Sequence, residues 1–283
     1  MRTLLTGLLI LMGIGMVRGQ EIFSLMSYNV RYDEALFNVG EPKENDWANR
    51  KAIQAALISF HEPDIVGLQE PHLHQVKYFE QMLPGYGWLG VGREDGKEEG
   101  EYNPIFYNKR KLELIDSGTF WLSDSPEKPS KSWDAGYTRI CTWGQFELKE
   151  TGKPIYIFNT HFDSKGKIAR EKSAELINNK IEEIAGKEAV MVMGDFNFSS
   201  ESSAYKQMTS YGLMDSKRIS KARAYGPEGT FNGFRFGQTP QNRIDFVFVN
   251  QKVEVCKYGV LTDKYDQKFP SDHLPVMVKV NLD

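Results

Sequence analysis

Short apolar runs of strand length, separated by turn residues, constrain the fold of this chain more than any other feature. Two of the runs, 189–194 and 244–249, are apolar at nearly every position, which is typical of strands buried on both faces. The predicted strands cover residues 22–30, 64–69, 87–91, 104–108, 119–122, 140–148, 155–160, 189–194, 244–249, 253–260 and 274–280.

Helical periodicity predicts three helices between these strands, at residues 47–60, 73–83 and 168–184. Many strands with a few helices between them predict an α+β sandwich, in which two packed sheets have helices outside. With 283 residues, of which 40% are hydrophobic, the chain is large enough for a packed core. We place a single domain at residues 20–283.

The first residues have the pattern of a secretory signal peptide. Arg2 is followed by an uncharged stretch over residues 3–17, and the small residue Gly19 precedes Gln20. A membrane anchor is the alternative, but a spanning helix needs about 20 apolar residues. We therefore predict a signal peptide at residues 1–19, a periplasmic or secreted mature chain, and no stable membrane insertion after cleavage.

The charge of the chain argues against a general binder of polyanions. The formal net charge is −3, and loss of Arg2 and Arg18 with the predicted signal peptide changes it to −5. Proteins that hold duplex DNA by its phosphates usually carry a basic face. A nucleic-acid substrate would therefore have to be held locally, at the site. We expect the mature chain to be a monomer.

The two cysteines, Cys141 and Cys256, lie in apolar, strand-like runs. An exported chain could oxidise them. We expect two buried thiols, because a disulfide forms only where the fold brings two Cα atoms within about 7 Å.

Oxygen-bearing residues follow the first two predicted strands. Asn29 lies at the end of the first strand, and Glu70 follows the second, where Pro71 ends the strand. A magnesium ion prefers oxygen ligands and keeps several waters, so the two side chains and a substrate phosphate would form a suitable shell. Taken alone, either residue is more typical of a turn or a solvated position.

Two later strand ends carry groups suited to acid–base chemistry. His161 ends the strand at 155–160, and Asp195 and Asn197 follow the strand at 189–194. Asp195 could hold and deprotonate a water that Asn197 positions, while His161 could stabilise charge on a phosphoryl oxygen or protonate a leaving oxygen. The alternative is structural, with Asp195 as a helix N-cap and His161 as a half-buried ring.

Asp245 and the dipeptide Asp272–His273 lie at the starts of apolar strands. A carboxylate held against one imidazole nitrogen fixes the tautomer and raises the basicity of the ring, which favours Asp245 and His273 as a coupled pair. Asp272 would then face a metal ion or its waters, with capping as the alternative. Together these strand ends predict metal-assisted hydrolysis of a phosphoester.

The order of these motifs resembles that of the endonuclease/exonuclease/phosphatase superfamily, which includes DNase I-like nucleases, apurinic nucleases, deadenylases, neutral sphingomyelinases and inositol polyphosphate phosphatases. The resemblance runs from the first strand to the last. It implies a four-layered αββα sandwich, in which two mixed sheets lie between helices. The matching positions are Asn29, Glu70, His161, Asp195, Asn197, Asp245, Asp272 and His273.

The resemblance implies that Asn29 and Glu70 bind a divalent cation, usually magnesium with manganese as an alternative, and that Asp272 lies near it. Two positions after Asn29, where apurinic nucleases carry an acid, this chain has Arg31. A second metal position and an apurinic-site specialisation are therefore not expected. We expect Arg31 to be a solvated loop residue, with a phosphate contact as the alternative.

The resemblance implies catalytic roles for the remaining matches. Asp195 and Asn197 would orient the attacking water. His161 and His273 would contact the scissile phosphate, and Asp245 would orient His273.

Three further segments, 101–107, 117–122 and 139–143, are similar to a bacterial exported subgroup related to the carbon catabolite repressor type of deadenylase. Asn103 and Arg139 lie in these segments and are candidates for contacts with substrate phosphate. For Arg139, an exposed position at a strand edge is an equal alternative.

Loops between the motifs are expected to select the substrate. Their aromatic residues could stack bases, line a sugar or lipid pocket, or simply pack the loop. We interpret the charged run 93–101 as a solvated loop, and His61, His72 and His74 as surface residues. The loop aromatics are Trp133, Tyr137, Phe231, Phe234 and Phe236, with Arg235 among them.

The sequence therefore predicts an exported, magnesium-dependent phosphodiesterase that acts on a nucleic acid, as a 3'-5' exonuclease on single strands. A second hypothesis is that the same site belongs to a phosphatase or phosphodiesterase that acts on a small phosphorylated metabolite or a lipid head group. A third is of another class, a binding protein that has lost turnover, and the complete set of motifs counts against it.

Overall fold

The computed structural model describes residues 22–36 and 43–282. The predicted signal peptide lies outside these residues. The strands are β1 (Phe23–Asn29), β2 (Ile65–Gln69), β3 (Tyr86–Leu89), β4 (Ile105–Asn108), β5 (Leu112–Trp121), β6 (Ile140–Leu148), β7 (Pro154–His161), β8 (Ala189–Asp195), β9 (Met214–Asp215), β10 (Asp245–Val249), β11 (Val253–Val260) and β12 (Val276–Leu282). They form two mixed sheets of six strands each, in the orders β11-β12-β1-β2-β4-β3 and β5-β6-β7-β8-β10-β9.

The α-helices of the described residues lie outside the sheets. The three long ones begin and end within one residue of their predicted bounds. The other two have seven and four residues, too few for a helical period to be recognised in the sequence. No helix in this part of the chain is both long enough and apolar enough to span a membrane. The helices are α1 (Trp47–His61), α2 (Leu73–Met82), α3 (Lys167–Ile184), α4 (Ser203–Thr209) and α5 (Ser216–Ile219).

Alternation along the central strands builds the layers. In β1, Leu25 faces the other sheet, whereas Met26 and Tyr28 pack among residues of α1 and α2. In β8, Met191 lies between the sheets and Val192 packs with residues of α3 and α4. Both faces of these strands are buried, so both sets of alternate residues are apolar. The predicted four-layered αββα sandwich is therefore confirmed.

The second sheet departs from the prediction at its two edges. β5 begins at Leu112 rather than at residue 119, because its first half is partly exposed and lacks a continuous apolar run. β9 is a two-residue strand that was not predicted.

The cysteines are unpaired within the described residues and lie in different sheets, Cys141 in β6 and Cys256 in β11. Cys141 is buried, as expected. Cys256 is only half-buried, because β11 is an edge strand.

A buried ion pair supports the segment that leads into β10. Arg243 donates from Nη1 to Asp215 Oδ2 at 2.8 Å and from Nη2 to Oδ1 at 2.5 Å. The Arg243 and Asp215 side chains are 8% and 1% exposed. Tyr205 also donates its hydroxyl to Asp215 Oδ2, at 3.1 Å. Removal of one partner would leave the other charge buried without compensation.

We therefore expect Asp215→Asn to lower the free energy of unfolding by about 3 kcal/mol or more. Urea denaturation followed by circular dichroism measures this quantity. Asp116→Asn is the matched control, because Asp116 lies exposed on β5, and should change the free energy by less than about 0.5 kcal/mol. Equal small effects in both variants would contradict a stabilising role for the buried pair.

Candidate active site

The sheet topology gathers the predicted strand ends at one edge of the sandwich. β1 and β2 pair in parallel, so Asn29 and Glu70 lie side by side at the ends of these strands of the first sheet. β7 and β8 also pair in parallel, so His161 and Asp195 end neighbouring strands of the second sheet. β10 runs antiparallel to β8, which places its first residue, Asp245, opposite Asp195.

The segment before β12 completes the site from the first sheet. β12 runs antiparallel to β1, so Asp272 and His273, which precede it, lie beside the end of β1. Ser271 fixes this segment, because its hydroxyl donates to the carbonyl oxygen of Asn29 at 2.6 Å. Together with Asn197, which lies just past the end of β8, all the residues that match the motifs come to one site.

Asn29 holds two acidic side chains together. Its Nδ2 group donates to Glu70 Oε1 at 2.9 Å and to Asp195 Oδ2 at 3.0 Å, while its Oδ1 accepts the backbone N–H of Arg31 at 2.9 Å. The predicted ligand role of Asn29 would direct Oδ1 at a cation, whereas here Nδ2 faces the carboxylates. The orientation seen fits a residue that positions Glu70 and Asp195.

The interpretation of Arg31 as a solvated loop residue is wrong. Its side chain is 20% exposed, and its Nε donates to Glu34 Oε1 at 2.8 Å. Its Nη1 lies 3.9 Å from Glu70 Oε2 and 3.7 Å from Asp272 Oδ2. Burial alone would raise the pKa of Glu70, but the Arg31 charge and the Asn29 hydrogen bond outweigh it and hold that pKa below its ordinary value.

Asp245 and His273 form the predicted carboxylate–imidazole pair. His273 Nδ1 lies 2.8 Å from Asp245 Oδ2, which also accepts the hydroxyl of Thr230 at 2.5 Å. Burial would lower the pKa of His273, but the charges of Asp245 and Asp195 outweigh it and raise that pKa well above its ordinary value. The protonated form of His273 is therefore favoured, and an imidazolium is suited to donate a hydrogen bond to a phosphoryl oxygen.

His161 is held in one tautomer by Asn197. The Asn197 Nδ2 group donates to the carbonyl oxygen of Phe162 and to His161 Nε2, both at 3.0 Å, so the proton of the neutral ring lies on Nδ1. Burial, reinforced by the charge of Arg139, lowers the pKa of His161 well below its ordinary value. His161 is therefore a neutral donor, unlike His273.

Asp195 lies between the two histidines and next to two other acids, Glu70 and Asp245. Its Oδ2 is 3.4 Å from His161 Nε2 and 3.6 Å from His273 Nε2. Burial, followed by the charge of Asp245, raises the pKa of Asp195 to about 7. A carboxylate with a pKa near neutrality can accept a proton from water during turnover.

An unusual local backbone conformation orients several of these side chains toward the site. Arg31, Glu70 and Asn197 have φ values of +59°, +73° and +49°, which non-glycine residues seldom adopt and which cost about 1 kcal/mol or more each. At Gly194 a Cβ atom would overlap the carbonyl oxygen of Thr160, so only glycine fits immediately before Asp195.

The donor set fits a divalent cation. Four carboxylates, of Glu70, Asp195, Asp245 and Asp272, are each at most 8% exposed, and Asp245 Oδ1 is buried with no hydrogen-bond partner among the described residues. Ligand atoms of Glu70, His161 and Asp195 lie within 4.8 Å of one another, as do those of Asp195, Asp245 and His273. Oxygen-rich clusters of this kind suit hard cations, and the excess negative charge would be neutralised by one.

The site opens into a cavity of about 690 Å³. Arg139 lines it and is 7% exposed, so the alternative of an exposed edge position is wrong. Asn103 does not line it, because its Nδ2 group donates to the carbonyl oxygen of Ile140 at 2.8 Å and its side chain is buried. The predicted phosphate contact of Asn103 is therefore not supported by its position.

Two cavity residues come from the charged run that the sequence suggested was a solvated loop. Arg93 and Glu101 line the cavity and are joined by a 2.5 Å contact from Arg93 Nη1 to Glu101 Oε2. The only sequence signal for them is the position of Glu101 at the start of a segment similar to the bacterial subgroup. Charged runs carry no periodicity, so nothing in the pattern distinguishes an inward residue from a solvated one.

The loop aromatics divide between the cavity and the surface. Tyr137, Phe231 and Phe234 line the cavity together with Arg235, whereas Phe236 is 44% exposed and packs against Phe269. Trp133 donates its Nε1 to Asp124 and does not line the cavity.

The isolated histidines lie outside the cavity. His61 and His74 face acidic partners, Asp263 at 3.3 Å and Asp33 at 2.9 Å. His61 and His72 are half-buried rather than surface residues, and His72 is the N-cap residue of α2.

The fold and the site together define the class of hydrolases that cleave phosphoester bonds with the help of a divalent metal ion. The sequence model of the protein family described as "Endonuclease/Exonuclease/phosphatase family" matches residues 26–273. The chain belongs to this family. It is therefore an enzyme, and the hypothesis of a binding protein without turnover is not supported.

Similar structures cover nearly the whole chain. A family protein from Bacteroides thetaiotaomicron is 38% identical, with a TM-score of 0.87 and coverage of 94% of this chain and 99% of that one. A mannosyl-6-phosphatase from the same organism is also 38% identical, with a TM-score of 0.85 and coverage of 91% and 99%. TDP2 from D. rerio, complexed with a single-strand DNA product, is 18% identical with a TM-score of 0.71, covers 92% and 99%, and shares the fold.

The matches to curated relatives cover only part of each relative. Two proteins of Acanthamoeba polyphaga mimivirus are 30% and 22% identical over 53% and 86% of this chain, which spans 59% and 39% of their length.

Proposed function

We propose that this enzyme is an exported, magnesium-dependent phosphatase that acts on monoesters of small polar molecules, with sugar phosphates as the substrate class. The observation that carries the proposal is the cavity. Its volume of about 690 Å³ lies within the roughly 300–1,000 Å³ typical of small-molecule sites. The similarity to a mannosyl-6-phosphatase supports the same substrate class.

The net charge of the chain also counts against a polynucleotide substrate. The chain as a whole carries a formal net charge of −3. It therefore offers no overall positive charge to hold a nucleic-acid backbone.

The side chains of the site have distinct roles in this reaction. A magnesium ion held by Glu70 and Asp272 would supply positive charge that neutralises the phosphoryl group. Asp195 accepts a proton from the attacking water, which Asn197 helps to position. His273, held as an imidazolium by Asp245, donates a hydrogen bond to a phosphoryl oxygen and stabilises the charge that develops there.

Export is part of the proposal and depends on the pattern of residues 1–19. Fractionation of cells that express the full chain tests it. The expected result is a mature protein in the periplasm or medium whose N-terminus is Gln20, and full-length protein in the cytoplasm would oppose it.

A phosphodiesterase that acts on single-stranded nucleic acid is the second candidate. The observation that favours it is the pairing of rings with arginines at the cavity, where Tyr137 lies near Arg93 and Phe234 is followed by Arg235. Such pairs stack bases in single-strand binding sites.

Hydrolysis of a substrate panel separates the two candidates. We expect magnesium to support cleavage of mannose 6-phosphate and p-nitrophenyl phosphate with a kcat/KM about 100-fold above that for bis(p-nitrophenyl) phosphate. Single-stranded RNA and DNA should stay intact. A chelator should abolish activity, and added magnesium should restore it, because the buried carboxylates need a cation. Faster cleavage of the diester and of nucleic acid would favour the second candidate instead.

A further inference from the structure

A second polar cluster lies in the cavity beyond His161, and the proposed reaction does not use it. It consists of Arg93, Glu101 and Arg139. Glu101 Oε2 is 2.5 Å from Arg93 Nη1, 3.6 Å from Arg139 Nη1 and 4.0 Å from His161 Nδ1. The cluster therefore adjoins the catalytic centre on the side of His161, next to the position of the scissile phosphate.

Arg139 has unused hydrogen-bonding capacity in this cluster. Its side chain is 7% exposed, and its Nε and Nη1 groups are buried with no hydrogen-bond partner among the described residues. Buried donors normally have an acceptor, so a guanidinium of this kind is suited to a bound ligand that supplies one. Asp163 Oδ2 lies 3.9 Å from Nε, beyond hydrogen-bond distance.

The cluster is held on a rigid base. Within the turn at residues 93–101, the Arg93 N–H donates to the Glu101 carbonyl oxygen at 3.1 Å. The Arg93 carbonyl oxygen accepts the Trp121 indole N–H at 2.7 Å. Arg139 directly precedes β6, so both sides of the cluster are tied to the sheets. A fixed arrangement of donors and acceptors favours specificity over simple charge attraction.

The cluster offers both a hydrogen-bond acceptor and hydrogen-bond donors, which suits a hydroxyl-bearing ligand. A carboxylate accepts hydrogen bonds and a guanidinium donates them, and a pair of neighbouring hydroxyl groups can satisfy both at once. The Tyr137 ring is 45% exposed and lies 5.4 Å from Arg139 Cζ and 5.9 Å from Arg93 Cζ, so a flat apolar surface stands beside the polar groups.

We propose that Glu101 and Arg139 form a subsite that binds two neighbouring hydroxyl groups of a pyranose ring, and that Tyr137 packs against the apolar face of the same ring. This inference rests on the proposed function and deepens it, since it assigns the residues that select the alcohol portion of the substrate. The hydroxyl groups would donate to Glu101 and accept from Arg139.

Substrate variation tests the subsite on the unaltered enzyme. Mannose 6-phosphate is compared with the 2-, 3- and 4-deoxy hexose 6-phosphates and with phenyl phosphate, which has no hydroxyl group. Loss of a hydrogen bond to a charged group typically weakens binding about 10- to 100-fold. We expect at least one deoxy sugar to lose about that factor in kcat/KM, because its missing hydroxyl leaves Glu101 or Arg139 unpaired.

Substitution of the two polar side chains completes the test. We expect Glu101→Gln and Arg139→Lys to lower kcat/KM for mannose 6-phosphate about 10- to 100-fold more than they lower kcat/KM for phenyl phosphate. A deoxy sugar that lacks the hydroxyl bound by Glu101 should lose nothing further in Glu101→Gln, because the contact is already absent. Glu98→Gln removes the same charge from an exposed position of the same loop and is the matched control.

The outcomes are distinguishable. An equal fall for mannose 6-phosphate and phenyl phosphate would overturn the subsite, since Glu101 would then act through His161 on the reaction itself. Equal activity on every deoxy sugar would also overturn it, without use of a variant. No hydrolysis of any monoester by the unaltered enzyme with magnesium would instead overturn the proposed function.

Discussion

Asp195→Asn is expected to lower kcat about 1,000-fold or more, with the protein still folded. Asp195 lies between His161 and His273 and is the acid whose pKa, about 7, suits proton transfer from water. An amide has nearly the same shape but cannot accept that proton. Steady-state kinetics on p-nitrophenyl phosphate with magnesium measures the loss, and near-complete activity would contradict the assigned role.

The same substitution is expected to stabilise the metal-free protein at alkaline pH. The pKa of Asp195 is raised from 3.8 to about 7, so the folded state favours the protonated form. The free energy of unfolding of the unaltered protein therefore falls as the pH rises from about 4 to about 7 and stays lowered above that. Asparagine is neutral throughout, so the variant should have the higher melting temperature at pH 8 and no advantage near pH 4. Lower stability of the variant at pH 8 would mean that Asp195 is structural.

Asp245→Asn is expected to lower kcat about 100- to 1,000-fold and to move the alkaline limb of the pH–activity profile to lower pH. Asp245 accepts from His273 Nδ1 at 2.8 Å, and its charge outweighs the effect of burial on the pKa of His273. The imidazolium therefore persists to high pH and is lost as the pH rises through its folded-state pKa. Without the carboxylate that pKa falls, so the loss of the donor begins at lower pH.

Asp263→Asn is the matched control for both substitutions. Asp263 makes a similar contact with a histidine, His61, at 3.3 Å, but outside the cavity. The control should keep its kcat and its pH profile. An Asp245→Asn profile that falls in height without a shift of the alkaline limb would contradict the role of Asp245 in setting the charge of His273.

The sequence was sufficient for the parts of the site that lie at strand ends. Apolar runs mark where strands such as β1 and β8 stop, so the polar residues that follow them, such as Asn29 and Asp195, could be recognised from order alone. The Asp245–His273 pair could be predicted for the same reason. The orientation of the Asn29 side chain could not be predicted, because it depends on the hydrogen bond from the Arg31 backbone N–H to Asn29 Oδ1.

Several charged residues that line the cavity could not be predicted in the same way. Arg93 and Glu101 lie in a run of charged residues, and Arg31 follows a motif residue in a loop. Each has the composition of a solvated segment, and each is turned into the cavity by contacts with residues distant in the chain. Charge patterning alone does not report such contacts.

The sequence by itself determined the layered fold and the family motifs and indicated the candidate reacting groups, because strands buried on both faces are apolar at nearly every position and the apolar run stops where the polar motif begins. The tertiary structure alone decided which charged residues line the cavity, that the pKa of His273 is raised while that of His161 is lowered, and which hydrogen-bond donors of Arg139 have no acceptor among the described residues. The physical reason is that hydrogen bonds and pKa values depend on distances of a few ångströms between residues from different strands and loops.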